Sequence, residues 1–194
     1  MSQEKEIEIK NVLTLSEFVR LRDAFSLTGE DFHWQANTYF DTPRFDLRSN
    51  QSALRVRAKK GQYELTLKQP AEEGLLETNQ SLTREEAERA ISSGILPQGE
   101  VTHALSSFLS ELTTLTSIGT LETRRASLPY QTGTLFLDHS VYLGTEDYEI
   151  ELEGNRMKEV ENWLEELMKQ YGIPRRTTPN KIQRFFTRKQ EIED

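Results

Sequence analysis

Apolar and polar positions alternate strictly over residues 4–10, with Ile7 and Ile9 on one face and Glu4, Glu6, Glu8 and Lys10 on the other. A period of two is the pattern of a half-buried strand. The same reasoning predicts strands over 35–40, 53–59, 63–68, 117–126, 132–138 and 145–153, the second and third of these joined as a hairpin across Lys60-Gly61. Between them the period changes to that of a helix. Thr14 or Ser16 caps a segment carrying Phe18, Leu21 and Phe25 that ends near Gly29. Thr83 and Glu86 form a capping box for a solvated amphipathic helix that stops near Gly94. Further helices are predicted over 100–112, 157–171 and 180–188. The segment 157–171 lines up Val160, Trp163, Leu164, Leu167 and Met168 on one side and stops at Gly172 before Pro174. No tandem repeat or Gly/Pro/Ser-rich linker interrupts the chain, so residues 1–194 read as a single domain of α+β class.

Composition narrows the function. The 194 residues include 32 Asp and Glu against 24 Lys and Arg, a net charge of −8, and only 35% are hydrophobic. That is below the usual apolar share, although nine Phe, six Tyr and two Trp argue against disorder. The acidic balance disfavours electrostatic coating of nucleic acid, and no stable nucleic-acid partner is expected. No apolar run approaches the ~18 residues of a membrane span, and Met1–Lys10 has no signal-peptide core. With no Cys, thiolate metal sites and Cys nucleophiles are excluded, and a cytoplasmic location is expected. Oligomeric state is open.

The charges fall in register on the strands. Glu6, Glu8 and Lys10 oppose Ile7 and Ile9; Arg55 and Arg57 oppose Leu54 and Val56; Glu64, Thr66 and Lys68 oppose Tyr63, Leu65 and Leu67; Glu149, Glu151 and Glu153 oppose Tyr148, Ile150 and Leu152. An exposed sheet would do the same one strand at a time. Like charges at i and i+2, however, forgo favourable mixing across an exposed sheet, and the helical stripes need an apolar sheet face to cover. If helices clad that face and the sheet closes, the charged face becomes an interior with room for side chains or one small ligand. Two like charges about 4 Å apart then cost on the order of 4 kcal/mol at an effective dielectric near 20. A hard divalent cation, Mg²⁺ or Mn²⁺, relieves the carboxylates, and a polyphosphate answers the Lys and Arg set.

Taken in order, the motifs resemble the CYTH superfamily, the triphosphate tunnel metalloenzymes, and most of all its small bacterial triphosphatases. They are Glu6-Ile7-Glu8-Ile9-Lys10, Tyr39-Phe40-Asp41-Thr42-Pro43, Leu54-Arg55-Val56-Arg57, Leu65-Thr66-Leu67-Lys68 and Glu122-Thr123-Arg124-Arg125, then Leu137-Asp138, Tyr142-Leu143-Gly144, Tyr148-Glu149-Ile150-Glu151-Leu152-Glu153 and Asn180-Lys181-Ile182-Gln183-Arg184-Phe185. The resemblance implies a closed barrel, or tunnel, of eight antiparallel strands with helices packed outside. It implies a small triphosphate-containing substrate and catalysis with Mg²⁺ or Mn²⁺. It assigns metal binding to Glu6, Glu8, Glu149 and Glu151, with Asp138 a further candidate. Glu153 leaves open which two of the late glutamates serve. It assigns phosphate binding to Lys10, Arg55, Arg57, Lys68 and Arg125, Arg124 being the fallback, and places Lys181 and Arg184 as a basic pair over the tunnel mouth.

The resulting expectation is metal-dependent hydrolysis of a terminal phosphate, with Glu6, Glu8 and Lys10 closest to the chemistry. Cyclisation of ATP to cyclic AMP, or binding of nucleotide or polyphosphate without turnover, are the alternatives. His33, His103 and His139 have no motif spacing and are read as surface or loop residues, Asp41 as a turn residue, and Trp163 as packing on the barrel exterior.

Overall fold

The computed structural model describes residues 3–107, 109 and 115–193. Eight strands are present: β1 (Gln3–Leu13), β2 (His33–Asp41), β3 (Ala53–Lys59), β4 (Gln62–Pro70), β5 (Leu75–Leu82), β6 (Thr116–Tyr130), β7 (Gly133–Tyr142) and β8 (Thr145–Gly154). They hydrogen-bond in the order β1-β5-β4-β3-β2-β6-β7-β8 and close into an antiparallel barrel. The α-helices among the described residues are α1 (Leu15–Ala24), α2 (Asp46–Ser49), α3 (Arg84–Ser93), α4 (Glu100–Ser106), α5 (Met157–Tyr171) and α6 (Lys181–Glu193), and they lie outside the barrel. None is long and apolar enough to cross a membrane.

The chain divides into two compact units, Met1–Glu6 with Gln35–Thr120, and Ile7–Trp34 with Leu121–Asp194. In the first, Leu54, Val56, Leu65 and Leu67 from β3 and β4 pack with Ala87 and Ala90 of α3 and Val101 and Leu105 of α4. The hairpin between β3 and β4 turns on Lys60 (φ 50°) and Gly61 (φ 77°), two successive left-handed residues that match the twist of the flanking strands. In the second unit, Leu135, Leu137, Ile150 and Leu152 from β7 and β8 pack under Phe18 and Leu21 of α1 and Leu164, Leu167 and Met168 of α5. Trp163 packs against the same cluster. In both units, therefore, helices cover the apolar face of each strand, and the charged residues at alternate positions turn the other way.

Several boundaries differ from expectation. Strand β5 was absent from the sequence-based set, because Leu75–Leu82 shows no apolar alternation; its pairing with β4 and β1 supplies what its own pattern lacks. Helix α1 stops at Ala24, well before Gly29, where Ser26 takes a left-handed φ of 53°. The helix expected over 100–112 is seen as α4; residues 108 and 110–112 lie outside the described residues. Helix α6 continues to Glu193 because nothing after Arg188 breaks it. Asp41 accepts hydrogen bonds from the backbone N–H groups of Thr42, Leu47 and Arg48, holding the turn into α2, and burial raises its pKa.

Candidate functional site

In the second unit, register builds one row of charges. Arg125 on β6 lies opposite Asp138 on β7, and Asp138 lies opposite Glu149 on β8. One step along, Lys10 on β1 faces Glu151 on β8. The result is a buried group of three carboxylates, Asp138, Glu149 and Glu151, whose nearest oxygens all lie within 4.8 Å of one another. Asp138 and Glu149 are 0% exposed.

Four cations hold this group together. Lys181, the first residue of α6, places Nζ 2.8 Å from Asp138 Oδ2 and 2.7 Å from Glu151 Oε1, and also contacts Glu149. Arg125 donates Nε to Asp138 Oδ1 at 2.7 Å and Nη2 to Asp138 Oδ2 at 2.6 Å, contacts Glu151, and lies over the Phe136 ring. Arg184, one turn along α6, donates to Glu149 and to Asp147. Lys10 donates to Glu8 and stands 3.7 Å from Glu151. The family resemblance implies that Lys181 and Arg184 form a basic pair over a tunnel mouth. The structure puts the Lys181 amine within the carboxylate group itself.

Electrostatics divides the two glutamates. Burial lifts Glu149 to about 7, with Glu151 adding to the rise and Lys181 opposing it. Burial also pushes Glu151 upward, but Arg125, Lys181 and Lys10 outweigh it and hold that carboxyl well below the usual range. Burial alone would lower Lys181 and Lys10. Their carboxylate neighbours raise both amines above the ordinary lysine value.

An all-oxygen set of carboxylates at this spacing suits a hard divalent cation, and the surrounding positive charges suit an anion with several oxygens. Glu153 shares the face of Glu149 and Glu151 and pairs in register with Glu8, outside the group of three. Arg124 points the other way from Arg125, stacks over Phe32 and Trp34 and reaches the Gly29 carbonyl.

The first unit carries its own charged row. Lys68 on β4 places Nζ 2.5 Å from Glu6 Oε2 and 2.6 Å from Glu77 Oε1. Arg55 on β3 reaches Glu77 at 4.0 Å, and Arg57 donates Nε to Asn37 Oδ1 at 3.0 Å. Burial raises the Glu77 pKa, but Lys68 and Arg55 overcome that and hold it at about 2. Sequence reasoning missed two acidic partners, Glu77 and Asp147. Glu77 lay in the unrecognised strand. Asp147 stood two residues before Glu149 on the same face, a signal that could have found it.

His33 and His103 are exposed, and His139 stacks on Tyr148 beside Glu146; none touches the carboxylates.

Comparison with known proteins gives a consistent result. The model of the CYTH domain matches residues 4–186. The Bacillus subtilis protein "Putative triphosphatase YjbK" is 44% identical over 191 residues, 98% of this chain and 99% of its own. A solved structure described as a putative adenylate cyclase from Bacillus halodurans is 45% identical, with a TM-score of 0.93 over 96% of this chain and 100% of that one. HpAC1 from Hippeastrum, described as a putative adenylyl cyclase with a dominant triphosphatase activity, is 26% identical, with a TM-score of 0.78 over 94% of this chain and 95% of its own.

Proposed function

The chain belongs to the CYTH family, and from that membership and the buried charge cluster we propose that it is a triphosphatase, hydrolysing the terminal phosphate of a small triphosphate. The observation that carries this reading is the convergence of Asp138, Glu149 and Glu151 within 4.8 Å, enclosed by Lys10, Arg125, Lys181 and Arg184. A binder of polyphosphate would need only the cations; the carboxylates repel an anion unless positive charge is added. The single family match across 4–186 supports reading the whole chain as one domain.

Asp138, Glu149 and Glu151 would hold a divalent cation, with Glu8 and Glu153 in supporting positions on β1 and β8 and Glu6 serving in the first unit. Mg²⁺ or Mn²⁺, when bound, neutralises phosphate charge and makes a bound water more acidic. The protein's own part is positioning and electrostatics. Arg125 offers a planar fork fixed by Asp138 and seated on Phe136, able to pair with two phosphate oxygens. Lys10 donates to Glu8 and holds a positive charge raised in pKa by its surroundings, so it stays protonated toward phosphate at neutral pH. Lys181 and Arg184, delivered together by α6, supply two more cations that can exchange carboxylate for phosphate oxygens. In the first unit, Arg55, Arg57 and Lys68 are the phosphate-binding candidates.

The name of the Bacillus halodurans relative favours a second reading, cyclisation of ATP, while the Hippeastrum protein's dominant triphosphatase activity favours hydrolysis. A panel of tripolyphosphate, thiamine triphosphate, ATP and RNA 5′-triphosphate, with Mg²⁺ and Mn²⁺ and with products identified, tests the proposal. Orthophosphate with the matching diphosphate is expected. Cyclic AMP with pyrophosphate would replace hydrolysis by cyclisation, and bound substrate with no product would reduce the protein to a binder.

A further inference from the structure

On the charged face of the first unit, Arg55 Nε and Thr66 Oγ1 are buried and unanswered, Thr66 standing between Arg55 on β3 and Asn79 on β5. Arg55 on β3 and Thr66 on β4 are directly opposite in register. Thr66 is 0% exposed, while Leu65 and Leu67 on either side turn into the apolar cluster beneath α3 and α4. Among the described residues, neither Thr66 Oγ1 nor Arg55 Nε has a hydrogen-bond partner. Arg57, two residues further along the same face, shows the contrast: its Nε donates to Asn37. Buried donors are ordinarily paired, and an unpaired one is costly enough to call for a cause. Structural polar networks close on themselves, as Asn37 with Arg57 does. This pair does not.

The chemistry of the missing partner follows from the two atoms. Arginine Nε only donates, so the partner must accept. The hydroxyl beside it can donate to the same group. Lys68 stands two residues from Thr66 on the same strand face, so the partner also meets a positive charge. A phosphoryl group, with several acceptor oxygens and a negative charge, meets all three requirements.

We propose that Thr66 is a substrate-binding residue, donating its hydroxyl, together with Arg55 Nε, to the oxygens of one phosphoryl group. The proposal rests on the triphosphatase reading and adds to it a neutral residue that helps locate the phosphate chain beside Arg55. Charge attracts a polyanion anywhere along a basic surface; a fixed hydroxyl selects where an oxygen comes to rest.

The test is calorimetric titration of inorganic tripolyphosphate in EDTA, so that no turnover occurs, into wild-type protein, Thr66→Val and Thr66→Ser, with thermal melts of each ligand-free protein. Thr66→Val is expected to weaken binding about five- to ten-fold, the net worth of one hydrogen bond. Its ligand-free melting temperature should equal or exceed that of wild type, since a methyl replaces an unanswered hydroxyl. Thr66→Ser should keep wild-type affinity. Unchanged affinity in Thr66→Val would overturn the proposal. So would a lower melting temperature of that variant restored by serine, because the hydroxyl would then be satisfied in the free protein. Wild-type protein that binds no tripolyphosphate in EDTA would overturn this proposal; wild-type protein that releases no orthophosphate from tripolyphosphate with Mg²⁺ would overturn the triphosphatase reading, and this proposal with it.

Discussion

Replacing Lys181 by Met removes one charge from the centre of the carboxylate group and nearly preserves the length of the side chain. The amine that disappears lies 2.7–2.8 Å from Glu151 and Asp138 and contacts Glu149. Deleting one partner from a buried ion pair costs about 3–5 kcal/mol, because the other charge is left without compensation. Arg125 and Arg184 remain in contact with the same carboxylates, which places the loss near the lower limit, about 3 kcal/mol. For a chain of this length each kcal/mol moves the melting temperature by about 2–4 °C, so Lys181→Met should melt roughly 6–12 °C below wild type in EDTA. Asp138, Glu149 and Glu151, freed of the amine, would be open to hold a divalent cation. Mg²⁺ at about one hundred times its dissociation constant returns about 2.7 kcal/mol. In wild type the amine competes for the same oxygens, so Mg²⁺ should raise its melting temperature less. Circular dichroism melts of both proteins, with EDTA and with Mg²⁺, read all four values. A variant that melts within about 2 °C of wild type in EDTA would refute the reasoning. So would an equal Mg²⁺ response in the two proteins.

Other outcomes follow from the same geometry. Glu77 is depressed to about 2 from an ordinary value near 4.5, so its stabilisation is present above pH 4.5 and is lost as pH falls toward 2. That window is worth about 3 kcal/mol, and urea unfolding should show Glu77→Gln losing less stability than wild type between pH 6 and pH 3. Asn11 is fully buried and ties the segment after α5 to β1, accepting from Arg176 N and donating to the Pro174 carbonyl. Asn11→Ala should therefore destabilise by about 2–4 kcal/mol in chemical denaturation. Gly94 closes α3 at φ 69°, and a Cβ there would stand 1.7 Å from the Leu115 carbonyl oxygen. Gly94→Ala should lower the melting temperature by several degrees, at a cost of about 2 kcal/mol or more.

Much of this was legible in the strands. Ile7 and Ile9, Leu54 and Val56, and Ile150 and Leu152 alternate with charges because helices lie on one face only, and a period of two reports that directly. The capping box at Thr83 is local chemistry and was readable as such, whereas Thr14 was one of two candidate caps and its box with Glu17 went unread. What could not be read depends on distant partners. Leu75–Leu82 is a strand because β4 and β1 pair with it, and its polar face, Glu77 included, gives no apolar rhythm. Lys181 begins a helix by local pattern, but its place among Asp138, Glu149 and Glu151 comes from how α6 returns to the barrel. Glu149, Glu151 and Glu153, three of the four glutamates of β8, share one face. Which of them join Asp138 depends on the β7–β8 register, where Asp138 meets Glu149 and Phe136 meets Glu151.

The central claim is that the buried carboxylates make this protein a metal-dependent triphosphatase. Phosphorus NMR of tripolyphosphate incubated with wild type and with Glu151→Gln, each with Mg²⁺ and with EDTA, tests it most directly. The account predicts orthophosphate and pyrophosphate from wild type with Mg²⁺ alone, and turnover reduced at least about a hundred-fold in the variant and in EDTA. Full turnover in EDTA, or in a folded Glu151→Gln protein, would contradict it.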